Sequence, residues 1–432
     1  MIRAPHFPSG ARGGIDSDAR LINRTLLGFI LSLLVFGLFV SRLNFPKIAA
    51  DLAVIVVSPD VLINDYFAHA GMGAAFINSG LCSLAGFGLL RLSGVLVSGP
   101  AIAAVFTIAG FALFGKNIYN IWPVMAGIAL HARLSRRPFK EMVIVALFGT
   151  SLAPIVSEFT FSLGIAFPLN VAAGMIAGLA AGLALPPIAR NALDFTRGYN
   201  LYNIGFAAGF VGTVTMSVLR ALEIEISDTL AWGSVDWRSI TPYLAIYFAS
   251  MIALGILEDR RWHEGLRRIF ASSGRLVCDY PRSAGYGATF VNMGLMGFLG
   301  IAYVFAVGGD WNGPVIGGIL ALVGFSAFGK HPLNALPPMI GVVIAANLTS
   351  YGMASPTSQI AGLFVATLAP ISGAYGPLAG IVAGMLHLVI VVNVGMLHGG
   401  LNLYNNGFSG GMTAGILVPV LDWIKERRNR ES

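Results

Sequence analysis

One polar phrase, Asn-Leu-Tyr-Asn, is written twice in this chain, at Asn200 to Asn203 and at Asn402 to Asn405. An amide offers donors and an acceptor, and a phenol offers one of each. Two such phrases facing a common cavity would suit a small polar solute, whose desolvation costs several kcal/mol unless its hydrogen bonds are replaced. Asparagines at i and i+3 share a helix face, and Gly198, Gly205, Gly400 and Gly407 loosen the helix starts and allow close approach. The same amides can equally cap the helices and hydrogen-bond between them.

A second repeated motif, F-G-K-x3-N-x2-P, places Lys116, Asn120 and Pro123 in one copy and Lys330, Asn334 and Pro337 in the other. A glycine break followed by a proline predicts two helices meeting at a short bend, with free helix ends facing a cavity. Each lysine marks an anion-attracting mouth or, the reading preferred here, snorkels to the membrane interface. A third motif, Asp65-Tyr66 and Asp279-Tyr280, stands ahead of Asn78 and Asn292. Its carboxylates either bind a coupling cation or proton or sit at helix starts. Glu158 has no acidic counterpart in the second copy and is a candidate by its isolation in an apolar run. His387 and His398 are read as core hydrogen-bonding groups.

The candidate solute-binding residues are therefore Asn200, Tyr202, Asn203, Asn402, Tyr404, Asn405, Asn78, Asn292, Asn120 and Asn334. The candidate coupling or gating residues are Asp65, Asp279, Glu158, Lys116 and Lys330. No catalytic set, cofactor motif or metal-ligand spacing is read, and the two cysteines, Cys82 and Cys278, form neither a disulfide framework nor a metal site.

The elements that must carry these groups follow from composition. Of 432 residues, 56% are hydrophobic and only 11% charged, with 54 glycines, far from the roughly 25% charged residues of soluble chains. Uncharged runs such as Leu26 to Val40, Tyr243 to Ile256 and Pro377 to Val394 approach the length of about 20 residues that a bilayer core requires. They lack the alternation of an outer-membrane barrel. An all-α integral membrane protein is predicted. The first 24 residues are polar and Arg-bearing without an early apolar region, so no signal peptide is expected and the first span is expected to be retained.

The chain is a duplication. "DYFAHAGMGAAFINSGL" from Asp65 aligns with "DYPRSAGYGATFVNMGL" from Asp279, and the same offset of 214 pairs Gly99-Pro100 with Gly313-Pro314, Lys116 with Lys330 and Gly127 with Gly341. After short insertions "LAPI" at Leu152 meets "LAPI" at Leu368, and the two NLYN phrases meet. Each half reads as a lead span and six further hydrophobic elements. The first set lies near 25–44, 68–92, 99–115, 118–133, 141–157, 170–189 and 201–221. The second lies near 240–257, 284–307, 312–329, 333–349, 359–373, 376–396 and 402–423. About fourteen elements thus form two repeats of about seven, and an odd number of crossings inverts the second repeat. The predicted segments are a cytoplasmic N-terminal stretch (1–24), the first repeat (25–222), an external linker (223–239), the second repeat (240–423) and a cytoplasmic basic tail (424–432).

Charge agrees with the inversion. "ARLSRRPFK" is basic and expected in the cytoplasm, whereas its counterpart "TSYGMASPTSQ" is uncharged. The net charge of +7 gathers in such clusters, with no aromatic-interleaved basic groove for nucleic acid. A cell inner membrane location with both termini cytoplasmic is expected. "EDRRWHEGLRRIFASSGR" should form an amphipathic helix on the cytoplasmic leaflet, with Trp262, Leu266, Ile269 and Phe270 on one face. The tracts "AAGMIAGLAAGLA" and "GIVAGMLHLV" should serve close helix packing.

Taken together, the DY…AGxGAxFxNxGL, GFxxFGKxxxNxxP and NLYNxGF motifs resemble an uncharacterised family of bacterial multipass membrane proteins, a domain of unknown function, over about residues 65–210 and 279–412. That resemblance implies a fold and a compartment but no substrate. A weaker likeness to urea-transporter-type channels rests on the duplicated halves and on "FPLN" at Phe167 to Asn170, where the second half has Gly376-Pro377-Leu378-Ala379. A transporter or channel for a small polar or anionic solute is the favoured function. An intramembrane enzyme, which needs an asymmetric catalytic pair, and a membrane scaffold are the alternatives. The expected partners are the lipid bilayer, the solute and copies of the chain in a homo-oligomer.

Overall fold

A computed structural model of the chain describes residues 12–226 and 230–431, with side chains from 22 to 430. The described chain is helical, with no strand beyond one bridge between Asn64 and Ala231. The first half contains α1 (Arg12–Val40), α2 (Phe45–Val57), α3 (Tyr66–Leu92), α4 (Gly99–Phe111), α5 (Ile121–Leu134), α6 (Val143–Gly149), α7 (Ala153–Phe161), α8 (Leu169–Thr196) and α9 (Asn203–Ala221). The second contains α10 (Thr241–Glu258), α11 (Trp262–Ala271), α12 (Tyr280–Ala284), α13 (Tyr286–Ala306), α14 (Gly313–Phe325), α15 (Pro332–Leu348), α16 (Pro356–Phe364), α17 (Ala369–Tyr375), α18 (Pro377–His398) and α19 (Asn405–Glu431). Large apolar side chains such as Phe39, Ile176, Ile246 and Leu378 lie exposed on the outside, as befits a surface wetted by lipid rather than water.

Ten helical segments among the described residues are long and apolar enough to cross a membrane. Four more apolar helices, α4, α5, α14 and α15, are shorter. At 13 residues each, α4 and α14 run about 20 Å, well short of a hydrocarbon core of about 30 Å. Both lie in the centre of the bundle, with every residue of α14 buried. They cross where Gly110 faces Gly317, so close that a Cβ on either glycine would come 2.5 Å from the other's carbonyl oxygen. Only glycine permits that approach, and it brings the two halves together backbone to backbone. The small-residue tracts act similarly: Gly182 of α8 packs on Gly127 of α5, and Gly384 of α18 on Gly341 of α15.

Three features depart from the sequence reading. The lead span ends at Val40, and a separate α2 follows a turn in which Arg42 and Leu43 adopt positive φ and Asn44 caps Lys47 N. The polar stretch from Ser41 to Asn44 followed by Pro46 is its sequence signal. The element expected at 141–157 is a broken helix, α6 and α7 joined by a 3₁₀ turn at Thr150–Leu152. Its counterpart likewise breaks between α16 and α17, at Val365–Leu368. The prolines of the two LAPI phrases, Pro154 and Pro370, open α7 and α17, where a missing N–H costs nothing. The amphipathic segment does form a helix, α11, whose Ile269 packs against Tyr280, Ala284 and Ala288.

Candidate functional site

At the centre, each half reaches into the other. Lys116 follows α4, and its Nζ donates to the hydroxyl of Tyr404 at 2.6 Å. Lys330 follows α14, and its Nζ donates to the hydroxyl of Tyr202 at the same distance. Each amine also lies over an aromatic face, 4.6 Å from the Tyr404 ring and 4.4 Å from the Tyr202 ring. Both lysines are fully buried, so they do not snorkel. The sequence reading missed this because a lysine between two apolar helices has the same signature at an interface and at a bundle centre. Neither makes an ion pair among the described residues.

The bends that hold the lysines are clamped from the neighbouring helix. Asn78 Nδ2 on α3 donates to the carbonyls of Ala112 and Lys116, and Asn292 Nδ2 on α13 donates to those of Ser326 and Lys330. Asn120 Nδ2 reaches the carbonyl of Gly115, and Asn334 Nδ2 that of Gly329. These four asparagines close the F-G-K turns.

The first three residues of each NLYN phrase form a short non-helical turn, and its second asparagine opens α9 or α19. Asn200 Nδ2 donates to Gly407 O and Asn402 Nδ2 to Gly205 O, both at 3.2 Å and both across the halves. Each phrase also pairs with the broken helix of the opposite half: Leu201 N donates to Thr367 O and Leu403 N to Ser151 O. Two unwound helix breaks, two NLYN turns and two lysine bends therefore meet at one place. Unwound backbone is tolerated inside a membrane bundle only where protein or a cavity satisfies it.

A cavity of about 350 Å³ ends on this centre. Buried Tyr202, Tyr404 and Asn203 line its inner part, with Phe111, Phe148 and Phe364 as apolar walls, and exposed Arg137, Glu141 and Arg190 line its outer end. Asn203 Oδ1 accepts from Thr196 Oγ1 at 2.6 Å, but its Nδ2 is buried without a partner. Asn405 is held otherwise, receiving His398 Nε2 at 3.0 Å and donating to Val391 O. It does not line the cavity, whereas the next residue, Asn406, does, paired with His387 Nε2. Both histidines are thus hydrogen-bonded in the core.

The candidate carboxylates Asp65, Asp279 and Glu158 do not line this cavity. Asp65 accepts from Phe67 N and Gly313 N on one oxygen and from Gly233 N on the other. Asp279 accepts from Gly99 N. Each aspartate thus holds the start of the other half's central helix, where the helix dipole favours negative charge. Glu158, buried on α7, accepts from Ser162 Oγ at 2.8 Å. The sequence reading missed a further acid, Asp60, in the turn between α2 and α3, which is fully buried.

Ten long apolar segments around a buried polar centre define a multipass α-helical membrane protein. The chain belongs to the family described as Protein of unknown function (DUF1576), whose model matches residues 44–221 and 258–423. No curated protein and no solved structure matches it.

Proposed function

We propose that this protein carries a small anionic or hydrogen-bond-accepting solute across the membrane, binding it against Tyr202, Tyr404 and Asn203. The observation that carries the reading is the reciprocal pair of lysine–tyrosine hydrogen bonds at the inner end of the cavity. Each phenol oxygen accepts from a lysine, which leaves its own O–H to give to a ligand. The unpartnered Asn203 Nδ2 adds another donor. Donors therefore outnumber acceptors where the cavity ends, and a nearby anion favours the charged form of a buried amine.

Each half contributes five of the ten long segments. An odd number supports opposite membrane orientations for the two repeats, and discontinuous helices meeting at the repeat interface are how many transporters build a midplane site. An inner-membrane location with cytoplasmic termini accords with the basic stretches around Arg136 and Arg427. A thermal-shift screen of purified protein against formate, acetate, lactate, nitrate, phosphate, urea and acetamide tests the reading, because a binder of the native state stabilises it by RT ln(1 + [L]/Kd). At least one anion or carbonyl compound should raise the Tm in wild type and fail to do so in the Tyr202→Phe/Tyr404→Phe double variant. A shift of equal size in the double variant would remove the tyrosines from the site.

A further inference from the structure

The two halves match closely at the centre, so the place where they fail to match is informative. Asp60 occupies the turn between α2 and α3 with φ of 62°, and the equivalent residue in the second half is Gly274 with φ of 76°. The turn therefore calls for the left-handed backbone that glycine adopts freely and an L-residue adopts at a cost. One copy nevertheless keeps an aspartate.

The surroundings of Asp60 are adapted to it. Oδ1 accepts from the hydroxyl of Tyr66. Oδ2 accepts from Ser157 Oγ at 2.7 Å, Asn117 Nδ2 at 2.9 Å and Asn120 Nδ2 at 3.0 Å. In the second half this apparatus is dismantled. Ser157 corresponds to Gly373 and Asn117 to His331, while Tyr280, the counterpart of Tyr66, has Gly274 in place of its acceptor. A Cβ at Gly274 would come 1.9 Å from Gly329 O, so the second turn has no room for an acid.

We propose that Asp60 is a reversible proton-binding site, carried by the first repeat alone. Four neutral donors converge on the carboxylate, and it makes no ion pair among the described residues. Burial disfavours its charged form while the donors favour it, so the two forms are brought near balance. The titratable groups around it are Tyr66 and Cys82 on α3, Lys116 on the α4–α5 bend, and Glu158 beyond Ser157 on α7. On α2 the charged groups Lys47 and Asp51 pair with each other. For a metal cation the side-chain oxygens beside the carboxylate are the hydroxyls of Tyr66 and Ser157 and the unpartnered Oδ1 of Asn64, because Asn117 Oδ1 already accepts from Tyr119 N and Asn120 N and Asn120 Oδ1 from Asn117 N; four donors aimed at the carboxylate suit a proton better. The residues that follow, Val61 to Ile63, line a surface cavity of about 860 Å³, so the turn that carries Asp60 borders the surface on that side. Asn120 and Lys116 share one bend, so protonation at Asp60 is transmitted toward Tyr404. That coupling to solute movement rests on the transport reading, whereas the proton site itself does not.

The test is infrared difference spectroscopy of the full-length protein in lipid, titrated with pH in the absence of any solute. Wild type should show a titrating buried carboxyl C=O band that Asp60→Asn lacks, distinct from any band of the buried Asp65 and Glu158 that both proteins share. Ser157→Ala keeps the acid but removes a donor to its charged form, so the midpoint should rise by about one pH unit or more. If Asp60→Asn does not fold, the Ser157→Ala shift decides alone. The proposal is overturned by the absence of a titrating band in wild type, by a titrating spectrum in Asp60→Asn identical to that of wild type, or by a midpoint unmoved in Ser157→Ala. It is also overturned by a midpoint that follows sodium at constant ionic strength, which would assign the site to a metal cation.

Discussion

Removing either partner of a lysine–tyrosine pair should reveal how strongly the two halves are joined at their centre. In Tyr404→Phe the ring and its packing on Phe111, at 4.5 Å, are kept while the acceptor for Lys116 is lost. The amine is fully buried, so losing its acceptor leaves a polar group short of a partner. An unsatisfied buried polar group costs about 1–3 kcal/mol. Lys116→Met preserves most of the apolar stem and leaves the phenol with its own proton, and should cost less. A double-mutant cycle built from these two changes should return a coupling of about 1–3 kcal/mol, since a hydrogen bond to a charged group lies near the top of that range and a neutral one near the bottom. The second pair, Lys330 with Tyr202, has the same 2.6 Å separation and should give a matching value. Reversible unfolding in mixed micelles, followed by tryptophan fluorescence, supplies the energies. A coupling below about 0.5 kcal/mol, the scatter expected of independent sites, or a coupling in one pair only, would refute the argument that the two bonds join the halves symmetrically.

Other expectations follow from the same geometry. Gly317→Ala sets a Cβ 2.5 Å from Gly110 O; a fall in stability of about 1–3 kcal/mol is expected, whereas Gly88→Ala, with nothing within 4 Å, should leave the Tm unchanged or raised. Asn203→Leu should keep the Tm yet lose any solute-induced shift, while Asn405→Leu should lower the Tm because it strands His398 and the carbonyl of Val391. With Cys82 and Cys278 replaced, single cysteines at the exposed positions Arg136 and Ala354 should react with an impermeant maleimide from opposite sides of the membrane. Reaction of both from one side would exclude the inverted orientation.

The repeat made the centre legible. NLYN, F-G-K-x3-N and LAPI each recur because each half makes the same turns, and all three meet at the site. What the two halves do not share was hidden by the same method. Asp60 lies in "SPDVLIND" opposite "SSGRLVCD", and a search for matching residues passes over a position where a buried acid stands against a glycine. Partners were also illegible. Spacing showed Lys116 and Tyr404 to be repeated groups, but only folding shows that each lysine binds the tyrosine of the other half rather than its own. Asp65 and Asp279 illustrate the same limit, since their acceptor role at Gly313 and Gly99 crosses more than 170 residues of chain.

The central claim is that solute moves past the lysine–tyrosine centre, and uptake into proteoliposomes tests it most directly. Labelled formate, acetate, lactate, nitrate, phosphate, urea and acetamide would each be offered under an imposed gradient to wild type and to a folded Lys116→Met/Lys330→Met double variant. Protein-dependent uptake of at least one compound, reduced tenfold or more in the double variant, is the predicted result; about 1.4 kcal/mol of lost interaction suffices for that factor. Uptake that is undiminished in the double variant, or no uptake of any compound by wild type, would contradict it.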